Sequence, residues 1–98
     1  MTTPKNLVVP GTIVKVSEAF KPRSHHGSIL VWESREYTSS TAQHRIMTGI
    51  KLEILSNPIK SLPPFSGMDV HARILNGELA GLDCWAYLYM IRYGTTPV

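Results

Sequence analysis

Only one cysteine, Cys84, occurs in this sequence, so a disulfide within the chain is excluded. No apolar run approaches the roughly 18 residues that cross a bilayer, and we therefore predict no membrane contact. The start of the sequence, Met-Thr-Thr-Pro-Lys, has neither the charged segment nor the long apolar stretch of a secretion signal. These absences favour a soluble cytoplasmic protein, of a cell or of a virus working inside one.

Patterns that carry catalysis or metal binding are also lacking. The sequence contains neither a Gly-x-Gly-x-x-Gly nor a Walker phosphate loop. No Cys-x-x-Cys or His-x-x-x-His spacing is present, and the adjacent His25 and His26 fall in a polar segment. Carboxylates are scattered, and Cys84 lies in an apolar run that disfavours its thiolate. We therefore predict no enzymatic activity, no metal, no cofactor and no small-molecule substrate.

The composition is that of a folded chain. Hydrophobic residues make up 43% of the sequence and charged residues 17%, far from the low-hydrophobicity, high-charge range of disorder. With 98 residues the chain is long enough for one core and too short for two. We predict a single domain over residues 1–98, with short flexible tails at about 1–6 and 94–98.

Alternation of apolar and polar residues predicts β-strands along most of the sequence. The longest such segment, 44–55, has Gly49 at its centre, where a barrel strand can bend. Further strands are predicted at 12–16, 28–37, 70–75 and 84–92. Prolines, glycines and β-branched residues interrupt every window long enough for an amphipathic helix. We therefore predict an all-β fold, a small, five-stranded, partly open barrel.

The last third of the sequence combines a strand at 70–75, an Asn-Gly turn and a run with aromatic residues at alternate positions. Trp85, Tyr87 and Tyr89 fall on one face of this run, and Ile91 continues that face. The other face is compact and apolar, and we assign it to the core: Cys84, Ala86, Leu88 and Met90. The aromatic residues then face outwards, with Trp85 undecided between core and surface.

The strand at 70–75 is followed at 76–88 by Asn-Gly-Glu-Leu-Ala-Gly-Leu-Asp-Cys-Trp-Ala-Tyr-Leu. Within 70–89 the sequence resembles bacterial Src-homology-3-like (SH3-like) domains, in which a strand, a turn, a small-Gly step and a Gly-Trp-Ala/Val-Tyr-type strand close a barrel. Cys84 stands where those domains usually carry a second glycine. The resemblance implies a small barrel used for binding and no catalytic residue. An oligonucleotide-binding (OB-fold) barrel is the alternative.

We interpret the outward aromatic residues as the contact surface of a non-catalytic binding module for protein-protein interaction or self-assembly. An exposed row of rings or an unpaired edge strand would otherwise promote aggregation. The proline-containing loop at 57–67 either closes one end of the barrel with its apolar residues or presents them to a partner. The predicted partner-binding residues are Trp85, Tyr87, Tyr89 and Phe65.

Two other functions are alternatives. Ten Lys and Arg against seven Asp and Glu give a net charge of +3, and such a basic balance also occurs in nucleic-acid-binding domains. The candidate nucleic-acid contacts are Lys21, Arg23, His25, His26 and Arg73. A structural component of a larger assembly, such as a virus particle, is the second alternative, because a small adhesive β-domain suits that role equally well.

Overall fold

Short antiparallel strands make up most of the protein. The computed structural model describes residues 8–17, 28–36, 42–63 and 66–98. Within them lie eight strands and one helix: β1 (Ile13–Val16), β2 (Ser28–Trp32), β3 (Gln43–Met47), β4 (Lys51–Ile54), β5 (Ile59–Lys60), β6 (Met68–Ile74), β7 (Asp83–Tyr87), α1 (Leu88–Gly94) and β8 (Thr95–Pro97).

The strands form a single curled sheet, a half-barrel, in the order β3-β2-β7-β6-β4-β1-β8, with β5 paired to β6. Every pairing between neighbouring strands is antiparallel. The prediction of a partly open β-barrel is confirmed in this coarser form. The predicted number of five strands was wrong, because the chain turns more often than the alternation of apolar residues indicates. The fold is mostly rather than entirely β, since it includes one short helix.

The segment predicted as one strand over 44–55 is two strands. β3 pairs with β2, whereas β4 pairs with β1 and β6. Between them Gly49 has a φ of +94°, a left-handed conformation that other residues seldom adopt. Its N–H donates a hydrogen bond to the Val16 carbonyl at 3.0 Å. The bend predicted at Gly49 is therefore a complete corner, at which the chain leaves one pairing partner for another.

The core consists of alternate residues of the strands. Leu52 lies opposite Val14 of β1 and Ile74 of β6, and all three side chains are buried. The predicted core face of the aromatic run is confirmed, since its four members are buried: Cys84, Ala86, Leu88 and Met90. The opposite side of β2, β6 and β7 is thereby left to form the outer face of the sheet.

Helix α1 begins directly after β7 and ends the predicted aromatic strand at Tyr87. From Leu88 onward the side-chain repeat changes from two residues to about 3.6, and both Met90 and Ile91 are buried. The assignment of Ile91 to the outward face was therefore wrong, and Tyr89 lies on a helix rather than a strand. With seven residues, α1 is shorter than the windows in which helical periodicity is recognised.

The end of the chain is paired to the sheet. The sequence predicted a tail over 94–98, whereas β8 pairs with β1 and places Thr95 opposite Val16. Thr95 also donates a hydrogen bond from Oγ1 to the Ile91 carbonyl at 2.5 Å. The strand is thus tied to the last turn of α1, and it is this helix that returns the chain to the sheet.

The predicted turn at Asn76 and Gly77 connects β6 to β7, which are antiparallel neighbours as the hairpin pattern indicates. Gly77 has a φ of +83°, and a Cβ atom there would lie 2.8 Å from Cδ1 of Ile50. The side-chain oxygen of Asn76 accepts a hydrogen bond from the Lys51 N–H at 2.7 Å. The connection therefore folds back against the start of β4.

Candidate functional site

A group of aromatic side chains lies on the outer face of the sheet, where β2, β7 and β6 are neighbours. Trp85 is opposite Trp32 on one side and His71 on the other. We use the term outer aromatic face for five half-buried residues: Trp32, Arg35, His71, Trp85 and Tyr87. This surface contains two of the four predicted partner-binding residues.

Trp85 is the centre of the outer aromatic face. The His71 imidazole stacks on the indole, with ring centroids 4.4 Å apart and an interplanar angle of 13°. The guanidinium carbon of Arg35 lies 5.2 Å from the centroid of the indole, which is within the range of a cation-π interaction. Trp85 is therefore an outer-face residue that is partly covered by its own neighbours. The sequence left Trp85 undecided between core and surface, and the structure places it on the outer face.

Tyr87 continues this surface toward α1. Its ring contacts Trp32 edge to face, with centroids 5.1 Å apart and an interplanar angle of 66°, an arrangement that aromatic pairs favour. Burial raises the pKa of Tyr87, and the nearby charge of Asp69 raises it further. At neutral pH Tyr87 is a neutral phenol, which suits an apolar contact surface.

A buried carboxylate supports the edge of the outer aromatic face. Asp69 is fully buried. Its Oδ1 atom accepts a hydrogen bond from Ser61 Oγ at 2.7 Å, and its Oδ2 atom accepts one from Arg35 Nε at 3.3 Å. Arg35 Nη2 donates a second hydrogen bond, to the Lys60 carbonyl, at 2.6 Å. Two strands, β5 and β6, thus hold the Arg35 guanidinium in one orientation.

Sequence reasoning did not identify Asp69, Trp32 or His71 as site residues, and it did not link Arg35 to the aromatic run. Arg35 and Asp69 are 34 positions apart in the chain, so no local motif links them. The available signal was the position of Asp69, an acidic residue that directly precedes the apolar alternation of β6. An acid at that place indicates either a strand end or a buried carboxylate with a partner.

Arg73, a predicted nucleic-acid contact, is engaged in an ion pair. Its Nε atom lies 2.7 Å from Asp83 Oδ1, and Glu53 is its register partner on β4. The hydrogen bond from Arg73 lowers the pKa of Asp83. The other predicted contacts, Lys21, Arg23, His25 and His26, lie outside the described residues, as does Phe65.

Helix α1 presents a second pair of aromatic side chains. Tyr89 and Tyr93 are 50% and 67% exposed, and their ring centroids are 6.3 Å apart. They are four positions apart, which places them on the same face of a helix. Sequence reasoning included Tyr89 but missed Tyr93, because the relation between the two exists only in helical geometry.

A groove of about 310 Å³ lies between the corner after β3 and the connection from β6 to β7. Ile46, Ile50, Ile74 and Leu79 provide apolar side chains, and Arg45 and Glu78 also line it. No member of the outer aromatic face takes part in the groove. The two features are therefore separate regions of the half-barrel.

Cys84 is completely buried on the core side of β7. Burial raises the pKa of its thiol from 9.0 to about 12, and the charge of Asp83 adds to this effect. Because the thiolate is the reactive form, Cys84 is not a nucleophile at neutral pH in the folded protein.

We expect iodoacetamide to leave Cys84 unmodified in the folded protein at pH 8 and to alkylate it fully in 6 M guanidinium chloride. Because the folded-state pKa exceeds the ordinary value, the contribution of the neutral thiol to stability should decrease between pH 9.0 and about 12. Mass spectrometry after timed alkylation measures the first effect. Equal rates of alkylation in the folded and unfolded protein would contradict it.

Within the described ranges no three His, Cys, Asp or Glu side chains are grouped so as to hold a metal ion. In the same part of the chain, no helix combines the length and apolar character needed to span a bilayer. No protein-family model matches this sequence, and neither curated proteins nor solved structures show a significant match to it. The fold and the outer aromatic face define a small antiparallel half-barrel with an exterior aromatic site.

Proposed function

We propose that this protein is a non-catalytic binding module that docks a partner protein on its outer aromatic face. The observation that carries the proposal is the grouping of Trp32, Trp85 and Tyr87 with Arg35 on the exterior of the sheet. Trp, Tyr and Arg are the residue types that contribute most of the binding energy at protein interfaces. Aromatic side chains in the core would be explained by packing alone, but these side chains lie on the opposite side of the sheet, where a partner can contact them.

The fixed arrangement of these side chains supports the proposal. His71 and Arg35 are both packed against Trp85, and Trp32 is packed against Tyr87. Side chains that already occupy one arrangement lose little conformational entropy when a partner binds. The surface is therefore organised for binding before the partner arrives.

The resemblance of residues 70–89 to SH3-like domains is consistent with this function, because those domains are small barrels used for binding. We propose that the half-barrel serves the same general purpose, with β6 and β7 as the central strands of its contact surface. The partner is either a different protein or a second copy of this chain, and association in a larger assembly would use the same surface.

Two observations favour a protein partner over a nucleic acid. Base stacking requires an accessible ring face, whereas His71 already stacks on Trp85. A phosphate track requires a row of cations on one face, whereas Arg73 has two carboxylates beside it, Asp83 and Glu53. Within the described residues, the outer aromatic face has the composition of a protein contact.

Replacing Trp85 by Leu should strongly reduce partner capture, because it removes the central ring while keeping an apolar side chain on the strand. Immobilised protein is incubated with lysate of the native host, and retained proteins are quantified by mass spectrometry. We expect the partner to be reduced by a factor of about 30 relative to the unchanged protein, as for a central interface residue. Sedimentation of the free protein shows whether the partner is a second copy.

Met47→Ala is the matched control, since Met47 is 54% exposed and lines the separate groove. This variant should capture the partner as well as the unchanged protein does. Circular dichroism verifies that both variants are folded. Equal capture and equal sedimentation of the unchanged protein and Trp85→Leu would overturn the proposed function.

A further inference from the structure

The orientation of the Arg35 guanidinium has a chemical consequence. A guanidinium is planar and carries five N–H donors, which can serve acceptors along two different edges. In Arg35 the edge formed by Nε and Nη2 faces the protein, where Nε donates to Asp69 and Nη2 donates to the Lys60 carbonyl. The second edge, formed by Nη1 and the other Nη2 hydrogen, is directed away from these acceptors.

The hydrogen bonds of Arg35 to described residues leave the second edge unused. Within the described part of the chain, Nη1 of Arg35 has no hydrogen-bond partner, and the side chain is 24% exposed. The indole of Trp85 lies against the guanidinium, and the buried carboxylate of Asp69 holds its Nε atom. Two parallel N–H groups are thus presented at a fixed place on the outer aromatic face.

We propose that Arg35 binds a carboxylate of the partner protein, from an Asp or Glu side chain or a C-terminus, through its Nη1/Nη2 edge. A carboxylate has two oxygens with the spacing of two parallel N–H donors, so the pair forms a bidentate ion pair. This inference rests on the proposed function and adds the chemistry of the partner segment to it: an acidic group next to apolar residues that contact Trp85 and Trp32.

A carboxylate fits this surface better than a nucleic-acid backbone. Successive phosphates require a row of cations. On the described outer face the neighbouring Arg73 has two carboxylates beside it, Asp83 and Glu53, whereas Arg35 is paired with one, Asp69. Arg35 is thus one directed cation among aromatic rings. That arrangement is suited to a single acidic group in an otherwise apolar segment.

A phage-displayed library of random heptapeptides, selected on the folded full-length protein, tests the proposal. We expect selected peptides to share an Asp or Glu at one position beside apolar residues. A synthetic peptide of the selected sequence should bind at least about tenfold more tightly than its Asn or Gln counterpart, as calorimetry measures, because charge-assisted hydrogen bonds are lost in the amide.

Arg35→Lys is the main variant, because it keeps a positive charge beside the buried Asp69 but lacks the planar pair of donors. The preference for the acidic peptide over its amide counterpart should be reduced in this variant, because a Lys ammonium still attracts the carboxylate but cannot bind both of its oxygens in parallel. Combining Arg35→Gln with Asp69→Asn removes both charges together, and it should abolish the difference between the peptides. Circular dichroism shows that each variant is folded.

The outcomes separate the inference from the proposed function. Selected peptides without a shared acid, or an acid preference as large in Arg35→Gln/Asp69→Asn as in the unchanged protein, would overturn the role of Arg35. If the selected peptides bind the unchanged protein but not the Trp85→Leu variant, the proposed function stands and only the role of Arg35 is rejected. Failure to select any peptide also counts against the carboxylate site. Binding of a 12-nucleotide oligothymidine that is lost in Arg35→Lys would assign the site to nucleic acid instead.

Discussion

Replacing Leu52 by Ala should lower the free energy of unfolding by about 3 kcal/mol. Leu52 is fully buried in β4, and its register partners on the two adjacent strands are Val14 and Ile74. Both partners are held by backbone pairing, so they cannot move far enough to fill the space that the missing atoms leave. The loss therefore includes a cavity term as well as the transfer free energy of the deleted methyl groups.

Urea unfolding followed by tryptophan fluorescence measures this effect. Ile13→Ala is the matched control, because Ile13 is 40% exposed and lies on the neighbouring strand, next in sequence to Val14. Its unfolding midpoint should shift much less than that of Leu52→Ala. Equal shifts of the two variants would show that the centre of the core lies elsewhere.

Replacing Arg35 by Ala should lower the free energy of unfolding by about 2 kcal/mol, because the substitution leaves the Asp69 carboxylate buried without its cation. The expected loss is smaller than for a fully enclosed ion pair, since Arg35 is 24% exposed and Ser61 still donates a hydrogen bond to Asp69. Asp69→Asn in the Arg35→Ala background should recover part of the loss, since the uncompensated charge is then gone.

A double-mutant cycle on Arg35 and Asp69, measured by chemical unfolding, gives the interaction between the two side chains. The ion pair of Arg73 and Asp83 provides the matched control, because its side chains are 45% and 44% exposed. Exposed pairs contribute little to stability, so Arg73→Ala should leave the unfolding midpoint nearly unchanged. A similar effect of Arg35→Ala and Arg73→Ala would mean that the Asp69 carboxylate is not a structural anchor.

Much of the fold could be predicted from alternation. In β6 the residues Val70, Ala72 and Ile74 are buried, and in β7 Cys84 and Ala86 are buried, as a period of two requires. Such a pattern is local, because it depends only on which side chains must leave water. It cannot reveal where a strand changes its partner.

The corner at Gly49 and helix α1 show this limit. The apolar alternation runs through Gly49, yet β3 and β4 pair with different strands because the left-handed glycine redirects the backbone. Leu88 and Met90 are buried both as predicted strand residues and as actual helix residues. Only Ile91 distinguishes the two conformations, and its burial on the helix was not predictable from a seven-residue segment.

Of the candidate site, Tyr87 was predictable, because its alternation with a purely apolar set places it on the side away from the core. Trp85 lies on the same side, but the sequence left it undecided between core and surface. Their partners were not predictable. Trp32 is on β2, His71 is on β6 and Arg35 follows β2, and the contacts between them depend on strand order and register. Strand order depends on contacts between distant segments, so the spacing of residues within one segment does not reveal it.

By itself, the sequence determined that the protein is a β-rich chain with a confined set of core positions and an aromatic run near its end. Burial of apolar side chains at every second residue is sufficient for that result. Only the tertiary structure decided that the run breaks into β7 and α1, that Asp69 is buried, and that Arg35 is held beside Trp85 by hydrogen bonds to Asp69 and the Lys60 carbonyl. These features arise where distant segments meet, and their geometry is set by pairing and packing across the sheet.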